Sequence, residues 1–292
     1  MALIPPLYSD AVVSIGYVQK DKYKSLATGF LVGFSMGKNP EGQPIYKTFL
    51  VTNRHVFEGK KDIYLRFNLN EGNTKTYRFP LEDDKGRKWS SHNNPMVDIA
   101  AVGINMNFLL SEEKVKCTFI QEENMAFLDT IKAEGIAQGD GVFVLGFPLG
   151  LAGDDQNYVI VKGGIISRLD DEIIKRQSAF MIDSNIFPGN SGGPVILRPE
   201  ITHLEGTKAV GKAYLIGVIS GYIAYQDEAV SRQTNQVRVV FNENSGLAMV
   251  VPMDFVKETV RDFMKVRKEE AEPKQVDLEG EQGPIKLAQM LV

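Results

Sequence analysis

Cysteine and histidine are scarce in this sequence, and long apolar runs are missing altogether. Cys117 is the only cysteine among 292 residues, which excludes an intramolecular disulfide and the disulfide framework of a small secreted domain. The three histidines are His55, His92 and His203. None has a cysteine or a second histidine at zinc-ligand spacing, so neither a metal site nor a cofactor is expected. The glycines between 146 and 153 lack the Gly-Lys-Ser/Thr ending of a phosphate loop, and nucleotide binding is not indicated. No run of about 18 apolar residues occurs, so no membrane-crossing helix and no membrane partner are expected. The opening Met1-Ala2-Leu3-Ile4-Pro5-Pro6-Leu7 has no basic residue and is broken by prolines, unlike a secretory signal. With the single cysteine, this points to a cytoplasmic protein. Charge of one sign is not in excess either: 33 Lys and Arg stand against 37 Asp and Glu, for a net −4. Without a basic surplus, nucleic acid is not an expected partner.

What the chain does have is β pattern. At 43% hydrophobic and 24% charged it can bury an ordinary core. Apolar or alternating runs rich in Val, Ile, Phe and Tyr lie at 11–19, 25–35, 47–52, 62–69, 75–81 and 98–104. Clusters of Gly, Asn and Lys separate them. A second set lies at 141–147, 157–167, 179–184, 194–197, 213–224 and 246–251. Two sets of six fit two small antiparallel barrels. Between them, 105–138 reads as a linker with a short helical turn in Asn124–Ile131. After the second set, Asp254 can cap a helix whose apolar positions Phe255, Val256, Val260, Phe263 and Met264 follow helical spacing. The expected domain is therefore 1–267: a first barrel at about 10–104, the linker, and a second barrel with its helix at 139–267. Residues 268–292 read as a charged, flexible tail with an apolar end.

Chemistry concentrates in Phe187-Pro188-Gly189-Asn190-Ser191-Gly192-Gly193-Pro194. Glycines around a serine permit a tight turn in which the hydroxyl is exposed and neighbouring NH groups converge beside it. A serine needs a base and an orienting acid to act as a nucleophile. His55 closes the apolar run Thr48–Thr52 through Asn53-Arg54, and Asp98 opens Asp98-Ile99-Ala100-Ala101-Val102-Gly103-Ile104. Both positions are strand ends, where side chains project into a cleft. His92 and His203, in polar surroundings, read as surface residues, and Cys117 as a small apolar filler.

The segments TNRHV, DIAAVGI and IFPGNSGGP, in that order, resemble the catalytic segments of chymotrypsin-fold serine peptidases, and most nearly those of the HtrA-like branch. GVFVLGFPLGL at 141–151, GGIIS at 163–167, IGVISGYI at 216–223 and GLAMVVPMDFVKETVRDF at 246–263 extend the resemblance over about residues 10–265. It implies an all-β fold of two six-stranded antiparallel barrels with a C-terminal α-helix, and too little chain remains for a PDZ domain. It also implies a serine endopeptidase acting on protein or peptide substrates, with His55 as base, Asp98 as its orienting acid and Ser191 as nucleophile. The oxyanion hole would be formed by NH groups within Gly189, Asn190 and Ser191. The substrate pocket would draw on Asn185, Ile186, Phe187, Ser220, Gly221 and Tyr222, and would favour uncharged residues before the cut. At Asn190, digestive members of the superfamily carry an aspartate that pairs with a freed N-terminus. The asparagine implies activity without N-terminal cleavage. A regulatory partner could engage the tail or the 224–245 loop. The competing reading is a protease-fold binding protein whose site is silent or gated by a partner.

Overall fold

The computed structural model describes residues 4–84, 86–202 and 205–271, the side chains only as far as Lys265. His203 and residues 272–292 of the expected tail lie outside the described residues. Strands β1 (Val12–Gln19), β2 (Lys22–Lys38), β3 (Pro44–Thr52), β4 (Asp62–Asn68) and β5 (Thr74–Pro80) come first. The short strands β6 (Glu82–Asp83), β7 (Gly86–Arg87) and β8 (Ser90–Ser91) precede β9 (Ala100–Gly103) and β10 (Ile120–Gln121). The second half contains β11 (Gly141–Gly146), β12 (Ile160–Arg168), β13 (Phe180–Asp183), β14 (Pro194–Leu197), β15 (Leu215–Val230) and β16 (Val237–Pro252). Helices are few: α1 (Pro6–Asp10), α2 (Arg54–Phe57), α3 (Leu128–Glu134), α4 (Asp171–Gln177) and α5 (Met253–Ala271), with isolated single turns between strands.

Both expected β halves are present. The second is a closed six-stranded barrel in the order β11-β12-β13-β16-β15-β14. The first is an eight-stranded sheet running β5-β4-β1-β2-β3-β9-β8, with β10 added in parallel to β2. It gains strands because the stretch read as a linker is not a free connection: Ile120 pairs with Val32, and Ile120, Met125 and Ala126 are buried.

Alternation along the strands explains how the halves adhere. On β2, Phe30, Val32 and Phe34 face a core shared with the second barrel and α5, while Ala27 and Leu31 face the interior of the first sheet. On β3, Phe49 and Val51 take the shared side and Leu50 the other. The segment running into β9 repeats the division, with Ile99 and Ala101 against Ala100 and Val102. Strands buried on both faces read as continuous apolar runs, which is why these were so plain in the sequence. Helix α5 seals the shared core with Val256, Val260 and Phe263, the last edge-on to Phe49 at 5.8 Å between ring centroids. Its backbone continues to Ala271, so 268–271, expected in the tail, are helical.

The 224–245 stretch, expected as a loop, is instead the outer part of a long hairpin. β15 and β16 stay paired from Ala224↔Asn244 to Val230↔Val237, well beyond the barrel. Tyr225, Val230, Val237 and Phe241 on this arm are exposed. The charges of Asp227, Glu228 and Arg238 masked the alternating Val237-Arg238-Val239 pattern that makes it a strand.

Candidate active site

Strand β3 ends at Thr52, and a single helical turn, α2, carries His55 over the edge of the shared core. Asn53 sits at the N-cap position of that turn but does not cap it with its side chain; its Nδ2 donates to the Asp98 carbonyl instead (2.8 Å). Asp98 is thereby tied to the base of α2 before its side chain is considered. Its carboxylate then accepts twice from His55: from the backbone NH at Oδ1 (3.1 Å) and from ring Nδ1 at Oδ2 (2.6 Å). A carboxylate accepting at Nδ1 fixes the tautomer with its hydrogen there and leaves Nε2 as the free lone pair. The side chains are 50% and 23% exposed, the imidazole reaching solvent while the carboxylate is recessed.

Ser191 lies on the connection between β13 and β14, seated against β2 and β3. Thr28 on β2 is the hub: its NH donates to the Ser191 carbonyl (3.0 Å), its hydroxyl donates to the Gly189 carbonyl (2.6 Å), and the same oxygen accepts from the Phe147 NH (3.1 Å). Its own carbonyl accepts from Thr52 Oγ1 (2.8 Å). The three polar groups of this residue, which has no exposed surface, thus make four hydrogen bonds, three of them to the second half at and beside the serine turn and one to the end of β3. Gly192 completes the seat. A Cβ there would stand 2.2 Å from both the Thr28 carbonyl and Thr52 Oγ1. The turn therefore rests on the strand end from which His55 projects. Among the described residues no hydrogen bond joins the His55 ring to Ser191; the ring's bond is to Asp98.

The turn itself has a defined shape. Asn190 N donates to the Phe187 carbonyl (2.9 Å), with Pro188 second and Gly189 third in the turn at φ +101°, the pattern of a type II turn. The Leu149 NH holds the Pro188 carbonyl (2.7 Å). Carbonyl and NH of a trans peptide point in opposite directions, so the Gly189 NH is aimed away from Leu149. Among the described residues the NH groups of Gly189 and Ser191 have no protein acceptor. The expectation for Asn190 is corrected: its NH closes the turn, and its side-chain Oδ1 accepts from the Phe187 NH (3.0 Å). Asn190 braces the two free donors and is not a third one.

Of the expected pocket residues, Asn185 and Phe187 are exposed and Ile186 is not. The Ile186 side chain, 2% exposed, packs in the second barrel's core, and its carbonyl accepts from Asn244 Nδ2 (2.5 Å). It is thus corrected from pocket wall to core residue. Ser220 is an extra residue in β15, since Ile219 pairs with Val250 and Gly221 with Met249; such a bulge re-aims the residues that follow it. Gly221 and Tyr222 continue the paired strand toward the arm. Lys162 was missed in the sequence. Its ammonium lies 4.6 Å from the centre of the Phe187 ring, and burial lowers its pKa.

His92 is corrected from surface residue to structural link. The Asn94 NH donates to its Nδ1 (3.0 Å), which leaves Nε2 to donate to Glu258 on α5 (2.9 Å), and the ring packs edge-on against Phe255. Cys117 is half-buried, and burial, with the Asp10 carboxylate second, pushes its thiol up to about 12, so it is protonated and inert at neutral pH. Among the described residues no cluster of metal-ligating side chains occurs.

The family model of the trypsin-like peptidase domain matches residues 27–199, a span that begins beside Thr28 and contains His55, Asp98 and Ser191. A search of curated proteins gives no match. Among solved structures, the apo MamO protease domain from Magnetospirillum magneticum is similar at 14% identity, over 86% of this chain and 96% of that one, with a TM-score of 0.45.

Proposed function

The chain belongs to the family of trypsin-like peptidase domains, and on that premise we propose that it is a serine endopeptidase. The carrying observation is the carboxylate of Asp98 bonded through both oxygens to His55, at the end of the strand on which the Ser191 turn is seated. In this reading Nε2 of His55 takes the proton of Ser191 as Oγ attacks the peptide carbonyl, and returns it to the leaving amine. Asp98 stabilises the imidazolium between the two transfers. The free NH groups of Gly189 and Ser191 receive the negative charge that develops on the carbonyl oxygen. Water then takes the place of the amine and releases the acyl group from Ser191. The reaction requires no cofactor.

We place the chain nearest the HtrA-like branch, on its motifs, and in the cytoplasm, on its single cysteine. The exposed apolar residues of the β15–β16 arm support a regulatory protein partner there. One observation favours the silent or gated alternative: the missing hydrogen bond between His55 and Ser191. Such bonds often tighten only when substrate is bound, and so we retain the enzyme. Incubation with an unfolded polypeptide, followed by mass spectrometry of the new termini, tests the assignment. Cuts after uncharged residues are expected. An untouched polypeptide alongside rapid hydrolysis of a simple ester would mark an esterase instead.

Two further results are expected. A Cβ at Gly189 would lie 2.2 Å from the Phe147 carbonyl, at a φ that side chains rarely adopt. Gly189→Ala therefore displaces the NH aimed at the oxyanion, and kcat should fall by about 100- to 1,000-fold, the cost of one such donor. Unchanged kcat would remove Gly189 from the hole. Second, Asn190 is satisfied at Oδ1 by a neighbouring NH and carries no charge to pair with an N-terminus. The intact chain, verified by mass, should be active. Activity that arises only after trimming near residue 10 would contradict this.

A further inference from the structure

A cavity of ≈ 930 Å³ opens beside the serine turn, between β2, β4 and the loop that follows β11. One wall contains Leu149, whose NH holds the Pro188 carbonyl, and the cavity therefore adjoins the oxyanion turn directly. It lies on the other side of that turn from Ser220–Tyr222: Phe147 and Leu149 contact Gly189, whereas Ile219 bonds Gly192 and Gly193. A peptide whose acyl part lies along Ser220–Tyr222 would continue past Ser191 toward this cavity.

The charge of the lining is one-sided. Lys22, Lys24 and Arg66 contribute three cations against one carboxylate, Asp154, in a chain whose net charge is −4. Both lysines are exposed, and among the described residues neither has an ion-pair partner. Arg66 is buried, and its guanidinium donates to the carbonyls of Gly153 and Asp154 (2.7 Å each) beneath the Tyr23 ring. Those carbonyls hold its guanidinium, and the Asp155 carboxylate lies within electrostatic reach of it, so Arg66 fixes the loop wall to β4 and the two exposed lysines supply the cavity's free positive charge. Leu149, 63% exposed, gives the mouth an apolar lip.

We propose that this cavity receives the leaving-group side of a peptide substrate and selects acidic residues there. The orientation of the peptide rests on the endopeptidase reading; the preference for acidic chains rests on the cavity's charges. A binding measurement on the full chain carrying Ser191→Ala avoids turnover. Two fluorescein-labelled peptides are compared by anisotropy, one with a Glu-Asp-Glu segment and one with Gln-Asn-Gln in its place. The acidic peptide should bind about tenfold more tightly at low ionic strength, as expected for two exposed ion pairs, and the gap should shrink with added salt. Adding Lys22→Glu and Lys24→Glu, both at exposed positions, should close the gap. Equal affinities, or a gap that survives the double reversal, would overturn the proposal. Cleavage mapping with the wild-type chain supplies the orientation: acidic residues are expected after the cut, and their enrichment before it would overturn the assignment of side. If the wild type cuts neither peptide while the charge-dependent gap is present, the endopeptidase reading fails and the acidic preference stands. If it cuts both without preference, only the cavity assignment fails.

Discussion

Ser191→Ala is expected to lower kcat on a peptide substrate by about a million-fold, as removal of the nucleophile does when a triad acts as a unit. The local geometry makes this a clean experiment. Ser191 is fixed through its backbone carbonyl, which accepts from Thr28, and its neighbour Gly192 is locked against Thr28 and Thr52. Loss of the hydroxyl disturbs neither contact, so the variant should melt with the parent. The Gly189 and Ser191 NH groups survive the substitution, and a residual rate above that of uncatalysed hydrolysis should remain. Steady-state kinetics beside a thermal melt checks both parts. A fall of less than tenfold in a folded variant would mean that another group attacks the carbonyl.

Asp98→Asn should cost about ten-thousand-fold in kcat while leaving KM much less affected. The loss follows from the tautomer of His55. Oδ1 and Oδ2 of Asp98 both act as acceptors, for the His55 NH and for Nδ1–H. An asparagine has one acceptor oxygen and one NH2 group. With the oxygen kept on the backbone NH at 3.1 Å, the NH2 faces Nδ1, which must then be the lone pair. The hydrogen moves to Nε2, the atom that has to accept from Ser191. The stabilising anion is lost as well, so the imidazolium formed during attack has no counter-charge. The two effects act at the same step, which is why kcat carries the loss. A variant within a factor of ten of the parent would show that Asp98 does not orient the base.

The fold was readable because the strands of the shared core are buried on both faces and appear as unbroken apolar runs. His55, Asp98 and Ser191 stood out because each lies at the end of such a run, or in a turn whose glycines have a steric purpose. Thr28 was not readable: a threonine within an apolar strand carries no local mark of four hydrogen bonds made across the domain. Lys162 and the basic cavity were hidden for the same reason, since β12, β2 and β4 meet the site only after both halves close. The outer β15–β16 arm was missed because its charged residues alternate with valines on a hairpin that leaves both faces to solvent. Ile186 and Asn190 lie one and five residues after Asn185, within the expected site segment, yet they face the barrel interior and the turn. Proximity in sequence could not separate the groups that face the reaction from those that hold them.

The central claim is that Ser191 is an activated nucleophile. Reaction of the intact chain with a fluorophosphonate probe, with the adduct located by mass spectrometry, tests it most directly. One adduct is expected, on Ser191, absent from Ser191→Ala. An unlabelled Ser191 in the folded wild-type chain, or an adduct on another residue, would contradict it.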